Sequence, residues 1–250
     1  MKKRLDVLVV ERALVSSRNE AQALIMSGAV VVNLSVVSKA GELVEETADI
    51  ALKGETCPYV SRGGLKLEHA LSTFDISVSG KTALDIGAST GGFTDCLLKR
   101  GATRVYAVDV GYGQFGWKLR RDERVTVFER TNIRYLDRVS IKDTIDIVVI
   151  DVSFISLKLV LPKAVEFLAP VGSDNQSGEI IALIKPQFEV GKGEVEKGGI
   201  IKTKEKRERV VSDISEFVQT LNLKLCGVCE SPIKGHKGNI EYLLYAAVKK

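Results

Sequence analysis

From Lys81 onward, short apolar runs of strand type alternate with amphipathic or capped helical stretches, and no other feature of the chain narrows its fold as much. The pattern predicts strands at 82–86, 105–110, 125–128, 145–150 and 180–184. Strands separated by helices build a parallel sheet covered on both faces, which is an α/β architecture. A helix marked by Val210, Val211, Ile214, Phe217, Val218 and Leu221 comes next, then strands at 224–229 and 242–248 joined by the turn-rich stretch 231–239. A hairpin of that kind completes the sheet with a last strand that runs antiparallel.

The 250 residues exceed what this sheet needs, so a small appendage is expected beside it. With 45% hydrophobic and 27% charged residues, the composition excludes a mainly disordered chain, a collagen-like repeat and a disulfide miniprotein. The longest uncharged run, 21–38, is interrupted by Gln22, Ser27, Gly28, Asn33 and Ser35, so it is no membrane span. The basic start Lys2-Lys3-Arg4 is followed by Asp6 and Glu11, and no signal peptide is readable. Four scattered cysteines point to reduced thiols. A cytoplasmic protein without a membrane partner is expected. The net charge of +4 decides nothing about nucleic acid, so its distribution must.

The first forty residues are basic and residues 41–56 are acidic, which orients a partner. Leu5, Leu8 and Val9 repeat at helical spacing. Ser17-Arg-Asn-Glu20 is a capping box opening a second helix that carries Ala21, Leu24 and Ile25 and ends at Gly28. Val30, Val32 and Val36-Val37 flank the turn-like Asn33-Leu34-Ser35 as a short hairpin. The expected division is a small α+β domain over 1–56, a linker over 57–62 and the α/β domain over 63–250. Arg4-Leu5-Asp6, Ser17-Arg18, Ala21, Ile25, Gly28, Val30-Val-Val32-Asn33 and Lys39-Ala-Gly41 resemble the S-four-type RNA-binding domain, with Leu34 departing from the glycine usual in that family. The resemblance implies RNA binding through the basic residues Arg4, Arg18 and Lys39, and Arg62 at the head of the larger domain is counted with them.

Asp85-Ile-Gly-Ala-Ser-Thr-Gly-Gly-Phe-Thr94 lies between the first strand of the sheet and the next helix, where glycines permit a tight turn and close approach of a ligand. Asp109 closes the second strand, where a carboxylate can accept hydrogen bonds from ribose hydroxyls. Asp85 ahead of Gly87 would repel a pyrophosphate but suits the ammonium of S-adenosylmethionine, and an antiparallel last strand marks the methyltransferase variant of this sheet. The expected cofactor is therefore S-adenosylmethionine in a Rossmann-like methyltransferase fold. Asp85, Gly87, Ala88, Ser89, Thr90, Gly91, Gly92, Phe93, Asp109 and Val110 are its candidate contacts. Asn132, just past the third strand, is a candidate adenine contact, with a plain turn residue as the competing reading.

Lys66 sits on the border of a helix face formed by Leu67, Ala70, Leu71 and Phe74. Asp151 and Lys185 end predicted strands, Pro186 holds Lys185 extended, and Glu241 opens the antiparallel strand at the same edge. A Lys-Asp-Lys-Glu set suits methyl transfer to a ribose hydroxyl, a poor nucleophile until its proton is engaged. The like charge of Lys66 and partial burial would depress the pKa of Lys185, with Asp151 and Glu241 limiting the shift.

Ser61-Arg-Gly-Gly-Leu-Lys66, 85–94, Asp109, Ile150-Asp151-Val-Ser-Phe154, Lys185-Pro-Gln-Phe-Glu189 and Gly238-Asn-Ile-Glu241 resemble the FtsJ-like 2′-O-ribose methyltransferases. That resemblance maps their tetrad onto Lys66, Asp151, Lys185 and Glu241. Joined to an S-four-type domain, the chain resembles the TlyA family, also called hemolysin A. The family implies 2′-O-methylation of cytidines in ribosomal RNA, with ribosomal RNA or ribosomal subunits as partners and direct in-line transfer. Asn132 stands where single-domain FtsJ enzymes tend to have an acid.

Cys226-Gly-Val-Cys229 has the spacing of half a zinc site, but no second pair exists and the chain has two histidines, so buried strand cysteines and no metal are expected. The glycines from Gly191 to Gly199, with Lys192 and Lys197 among them, suit either a mobile flap or a plain solvated loop. Competing functions are a non-enzymatic RNA-binding or ribosome-assembly factor, which the intact tetrad opposes, and a membrane-active hemolysin. The clearest amphipathic helix, 203–221, mixes both charge signs on its polar face instead of being basic, which opposes the hemolysin.

Overall fold

The computed structural model describes residues 2–33, 35–52, 57–170, 177–191, 193–196 and 198–249, which form two compact units divided between Pro58 and Tyr59. The smaller contains β1 (Lys2–Arg4), α1 (Leu5–Glu11), α2 (Arg18–Met26), β2 (Val30–Val32), β3 (Ser35–Val36), β4 (Leu43–Glu45) and β5 (Ile50–Leu52). Leu5, Leu8 and Val9 of α1 meet Ala21 and Ile25 of α2 over Val30 and Val32, a core built from the two predicted helical stripes. Ser17 accepts from the Glu20 amide at 3.3 Å, while the Glu20 carboxylate turns to Ser16 instead of closing the box on Ser17. The predicted hairpin pairs β2 with β3, and β5 adds to the other side of β2. The hairpin turn includes Leu34, which lies outside the described residues. β1 and β4 pair antiparallel as a separate ribbon that the sequence pattern does not announce.

The larger unit contains α3 (Gly63–Thr73), β6 (Thr82–Ile86), α4 (Gly92–Lys99), β7 (Arg104–Val108), α5 (Trp117–Arg120), β8 (Val125–Phe128), β9 (Ile147–Ile150), α6 (Leu161–Val165), β10 (Glu179–Ile184), α7 (Pro186–Glu189), α8 (Lys204–Thr220), β11 (Leu223–Glu230) and β12 (Tyr242–Val248). Its seven strands lie in the order β11-β12-β10-β9-β6-β7-β8. β12 is inserted between β10 and β11 and runs antiparallel to both. Alternate residues of each central strand go to opposite faces. Leu84, Ile86, Val148, Ile150, Ile180 and Ala182 pack with α6 and α8. Ala83, Val105, Ala107, Ile147, Val149 and Ile181 pack with α3 and α4. Burial on both faces is why these strands read as continuous apolar runs.

The chain leaves β6 toward β7 and β8 on one side and returns to β9 on the other. The crevice between the carboxyl ends of β6 and β9 is thus the switch point at which ligands of such sheets bind. One sequence expectation is corrected: Cys226 is exposed and Cys229 half-buried rather than both buried. β11 is an edge strand, and its register with β12 shifts between Leu225 and Gly227, which turns Cys226 out of the core.

Candidate active site

Parallel register places Ile86 beside Val108 and Ile150, so Asp85, Asp109 and Asp151 arrive at one edge of the sheet. Lys185 leaves β10 there in extended geometry (φ −113°, ψ 96°) and Pro186 opens α7, as the dipeptide requires. Glu241 precedes β12, whose Tyr242 lies opposite Ile184, so the antiparallel strand delivers its first end to the same edge.

The four tetrad candidates form two pairs. The Lys66 ammonium donates to Glu241 Oε2 at 2.6 Å, with Lys66 9% and Glu241 2% exposed. The Lys185 ammonium lies 2.6 Å from Asp151 Oδ1, an ion pair not aligned as a hydrogen bond, and donates to Ser153 Oγ at 2.8 Å. Gln187 Nε2 reaches Glu241 Oε1 at 3.5 Å. Gly235 passes so close to Glu241 that a Cβ there would collide with its carboxylate. Glu189 accepts from Ser156 Oγ and the Leu157 amide, bracing the loop that carries Ser153 and Phe154. Phe154 has a left-handed backbone (φ 62°), is 90% exposed and packs against Phe188 with ring centroids 4.9 Å apart. Ser153, Gln187, Glu189 and Phe154 fall inside motifs read from the sequence without being singled out. Gly235 carries no sequence signal, because its constraint comes from a residue that only the fold brings near.

The glycine-rich turn is shaped by contact. Gly87 has φ +86°, and a Cβ there would stand 2.5 Å from the Asp151 carbonyl oxygen. Gly91, at φ +95°, caps α4 and faces Leu119. Asp109 accepts from the Ser89 amide at 2.8 Å and the Gly111 amide at 2.6 Å, tying the turn after β6 to the loop after β7. Two cavities flank the turn and share Gly87, Ser89 and Asp151. One, about 510 Å³, is lined by Asp109, Val110, Asn132 and Phe154. The other, about 290 Å³, is lined by Arg62, Lys66, Ala88, Thr90, Gly92 and Phe93. Asn132 also caps a 3-10 turn by accepting from the Arg134 amide at 3.1 Å, so it serves the turn while facing the cavity.

Asp85 is fully buried. Thr94 Oγ1 donates to its Oδ2 at 2.6 Å, while Oδ1 has no partner. Burial pushes its carboxyl up to about 7, with the charges of Asp151 and Asp109 adding to the rise and the Thr94 hydrogen bond opposing it. An orphaned buried carboxylate oxygen calls for a cationic donor. With Gly87 of the adjoining turn lining both cavities, it fits the ammonium-bearing end of S-adenosylmethionine. Asp109, directly after β7, lines the larger cavity.

Of the predicted RNA-binding residues, Arg4 and Arg18 converge on Asp6, whereas Lys39 is exposed in the turn before β4 and Arg62 is exposed ahead of α3. No helix among the described residues is long and apolar enough to cross a membrane, and no group of His, Cys, Asp and Glu among them could hold a metal ion. The glycine-rich stretch 191–199, read as either a flap or a solvated loop, falls partly on Lys192 and Lys197, which lie outside the described residues.

A doubly covered sheet with one antiparallel strand and an acid-flanked glycine turn at its switch point define an S-adenosylmethionine-dependent methyltransferase. The sequence matches the FtsJ-like methyltransferase family over residues 59–248 and the S4 domain over residues 3–50. It is 45% identical to the 16S/23S rRNA (cytidine-2′-O)-methyltransferase TlyA of Mycobacterium tuberculosis, over 97% of this chain and 88% of that protein. It is 43% identical to hemolysin A of Brachyspira hyodysenteriae, over 97% of this chain and 98% of that one. Among solved structures, a Streptococcus thermophilus protein described as a hemolysin superposes with a TM-score of 0.78 at 42% identity, covering 100% of this chain and 89% of the other. A Mesorhizobium loti S-adenosylmethionine-dependent methyltransferase shares the fold alone, with a TM-score of 0.53 at 13% identity, covering 72% and 96% of the two chains. The chain belongs to the FtsJ-like methyltransferases and, among them, to the TlyA or hemolysin A family.

Asp109→Ala is expected to weaken S-adenosylmethionine binding by about 1–3 kcal/mol, the worth of two ribose hydrogen bonds at ~0.5–1.5 kcal/mol each. Titration calorimetry checks it, and an unchanged dissociation constant would remove Asp109 from the cofactor site.

Proposed function

We propose that this protein is a ribosomal RNA 2′-O-ribose methyltransferase acting on cytidine in the cytoplasm, with residues 1–56 selecting the RNA and 63–250 performing transfer. The observation that carries this reading is the arrangement of Lys66–Glu241 and Lys185–Asp151 as two ion pairs beside the glycine-rich turn. When bound, S-adenosylmethionine supplies the methyl group, which passes in line to the ribose oxygen with no covalent enzyme intermediate. Asp85, Gly87, Asp109 and the 88–93 turn would hold it, with Val110 and Asn132 beside the adenosine.

Lys185 acts on the 2′-hydroxyl as general base or hydroxyl orienter. Asp151 and Ser153 fix its ammonium from two sides and so restrict it to one direction. Glu241 fixes Lys66 in the same way, and the missing side chain of Gly235 makes room for the Glu241 carboxylate. Alignment of two substrates is worth ~7–11 kcal/mol of such a barrier, against ~10²–10⁴-fold for general-base help, so rigid placement is the larger contribution. The resemblance of the smaller unit to S4 domains and the names of the relatives support RNA as the acceptor. Mass-spectrometric mapping of ribose methylation in ribosomal RNA, from cells with and without this protein, tests the reading. Identical maps would overturn it.

Asp85 gives a second test. Its folded carboxyl titrates near 7 because of burial, whereas an unfolded one titrates near ~3.9. Between these values the folded state holds the extra proton, so this group's contribution to stability falls as pH rises through the window and levels off above it. Asp85→Asn should therefore gain stability over the wild type progressively from about pH 4 to 7, while losing affinity for S-adenosylmethionine. Thermal melts across that range check the first part; a pH-independent difference would contradict the titration.

A further inference from the structure

Asp6 is a carboxylate with no solvent exposure in the core of the smaller unit, and both of its oxygens are engaged by residues that the RNA reading assigns to the surface. Arg4 donates from Nε to Oδ1 at 3.0 Å and from Nη2 to Oδ2 at 2.9 Å, a bidentate fork. Arg18 donates from Nε to Oδ2 at 3.0 Å, and Gln22 Nε2 completes the set at 2.8 Å. The two arginine side chains nevertheless remain 45% and 53% exposed. Each guanidinium is therefore anchored on Asp6 while leaving nitrogens that Asp6 does not engage: Nη1 of Arg4, and Nη1 with Nη2 of Arg18. Arg4 is restrained further by Gly41, whose absent Cβ would stand 3.0 Å from Nη1 and 3.3 Å from Cζ, so the guanidinium lies over bare backbone. The turn that contains Gly41 is itself pinned to α1, because the Asp6 amide donates to the Ala40 carbonyl and the Leu5 amide to Glu42.

We propose that Asp6 is a positioning residue that locks Arg4 and Arg18 into a two-guanidinium fork for adjacent phosphates of an RNA backbone. The proposal rests on the RNA-binding reading of the smaller unit. Guanidinium groups match phosphate oxygens by pairs of parallel hydrogen bonds, and a long side chain already held in place loses less freedom on binding than a mobile one. A charge count alone predicts the opposite role for Asp6. Its negative charge, fully buried between two cations, subtracts from the attraction felt by a polyanion, so its removal should tighten RNA binding if placement did not matter.

The test uses the full chain with transcribed 16S and 23S ribosomal RNA as probes. Asp6→Asn keeps the size of the side chain, adds one unit of positive charge and releases the fork. Binding is expected to weaken roughly tenfold, as for loss of a charge-assisted contact. The slope of log affinity against log salt should flatten by about one phosphate contact, ~0.7–0.9. Binding that is unchanged or tighter overturns the proposal. Gly41 lies outside the left-handed region, so Gly41→Ala fits its backbone and displaces only the Arg4 guanidinium, leaving charge and Asp6 intact. It should weaken RNA binding by roughly threefold through lost preorganisation, and it decides the matter if Asp6→Asn does not fold. A merely structural role would lower the melting temperature of Asp6→Asn without changing the salt slope of the folded fraction. The double variant Arg4→Gln with Arg18→Gln separates the two levels of the argument. If it binds RNA like the wild type, the RNA reading of this unit fails; if it binds weakly while Asp6→Asn and Gly41→Ala do not, only the fork fails.

Discussion

Lys185→Ala is expected to lower single-turnover methyl transfer by ~10²–10⁴-fold, the contribution of a positioned proton acceptor or orienter. The dissociation constants for S-adenosylmethionine and RNA should stay close to wild type. The substitution removes an ammonium that contacts Asp151 and Ser153 and leaves the turn at Gly87 and the fork at Asp6 untouched. Asp151→Ala should approach the same loss, because Lys185 then loses its carboxylate partner and keeps only the Ser153 hydroxyl and the Phe188 ring beside it. The double variant should be little worse than Lys185→Ala alone, since groups acting as a unit are not additive. Near-wild-type single-turnover transfer by Lys185→Ala on saturating RNA would assign the hydroxyl to Lys66 instead.

Gly87→Ala should have the second large effect, and here the loss is in binding. The backbone at φ +86° disfavours any side chain by roughly 1–2 kcal/mol, and the new methyl would also press on the Asp151 carbonyl oxygen and carbon at 2.5 and 2.9 Å. Those atoms belong to the end of β9 and cannot yield as a side-chain tip can. A stability loss of about 2–4 kcal/mol is expected. Affinity for S-adenosylmethionine should fall by roughly a hundredfold, because the ligand must approach a turn whose backbone has moved. Gly80→Ala is the control: at φ +78° it carries similar conformational strain but has nothing within 4 Å of the added Cβ. Equal losses from the two substitutions, measured by denaturant unfolding, would show that contact with Asp151 contributes nothing.

The larger unit is legible because its strands are buried on both faces. The runs 82–86, 125–128 and 242–248 coincide with β6, β8 and β12, and the antiparallel direction of β12 follows from the short turn-rich link before it. Boundaries slip where an apolar residue sits outside the ladder. Ile145 is buried but makes only an isolated bridge to Leu168, so β9 starts at Ile147. The small unit is less readable, since β1, β4 and β5 have three residues each, too few for an alternation to register. Candidate site residues at strand ends could be placed by topology alone. Their pairing could not: nothing in the order of residues says that Lys66 takes Glu241 while Lys185 takes Asp151. Nor could the bracing by Ser153 and Glu189, which depends on where the loop after β9 folds back.

The ion pair between Lys66 and Glu241 joins residues 175 positions apart, one on the first helix of the larger unit and the other at the head of a strand inserted into the middle of its sheet. Chains are synthesised from the amino terminus, so a nascent protein lacks both this pair and β12 until residue 241 and the strand after it have emerged. Until then β10 and β11 have no partner between them, and the pocket lacks one wall. A growing chain therefore acquires the Lys66–Glu241 pair, and the strand that closes the gap between β10 and β11, only after every other named strand of the sheet has been made.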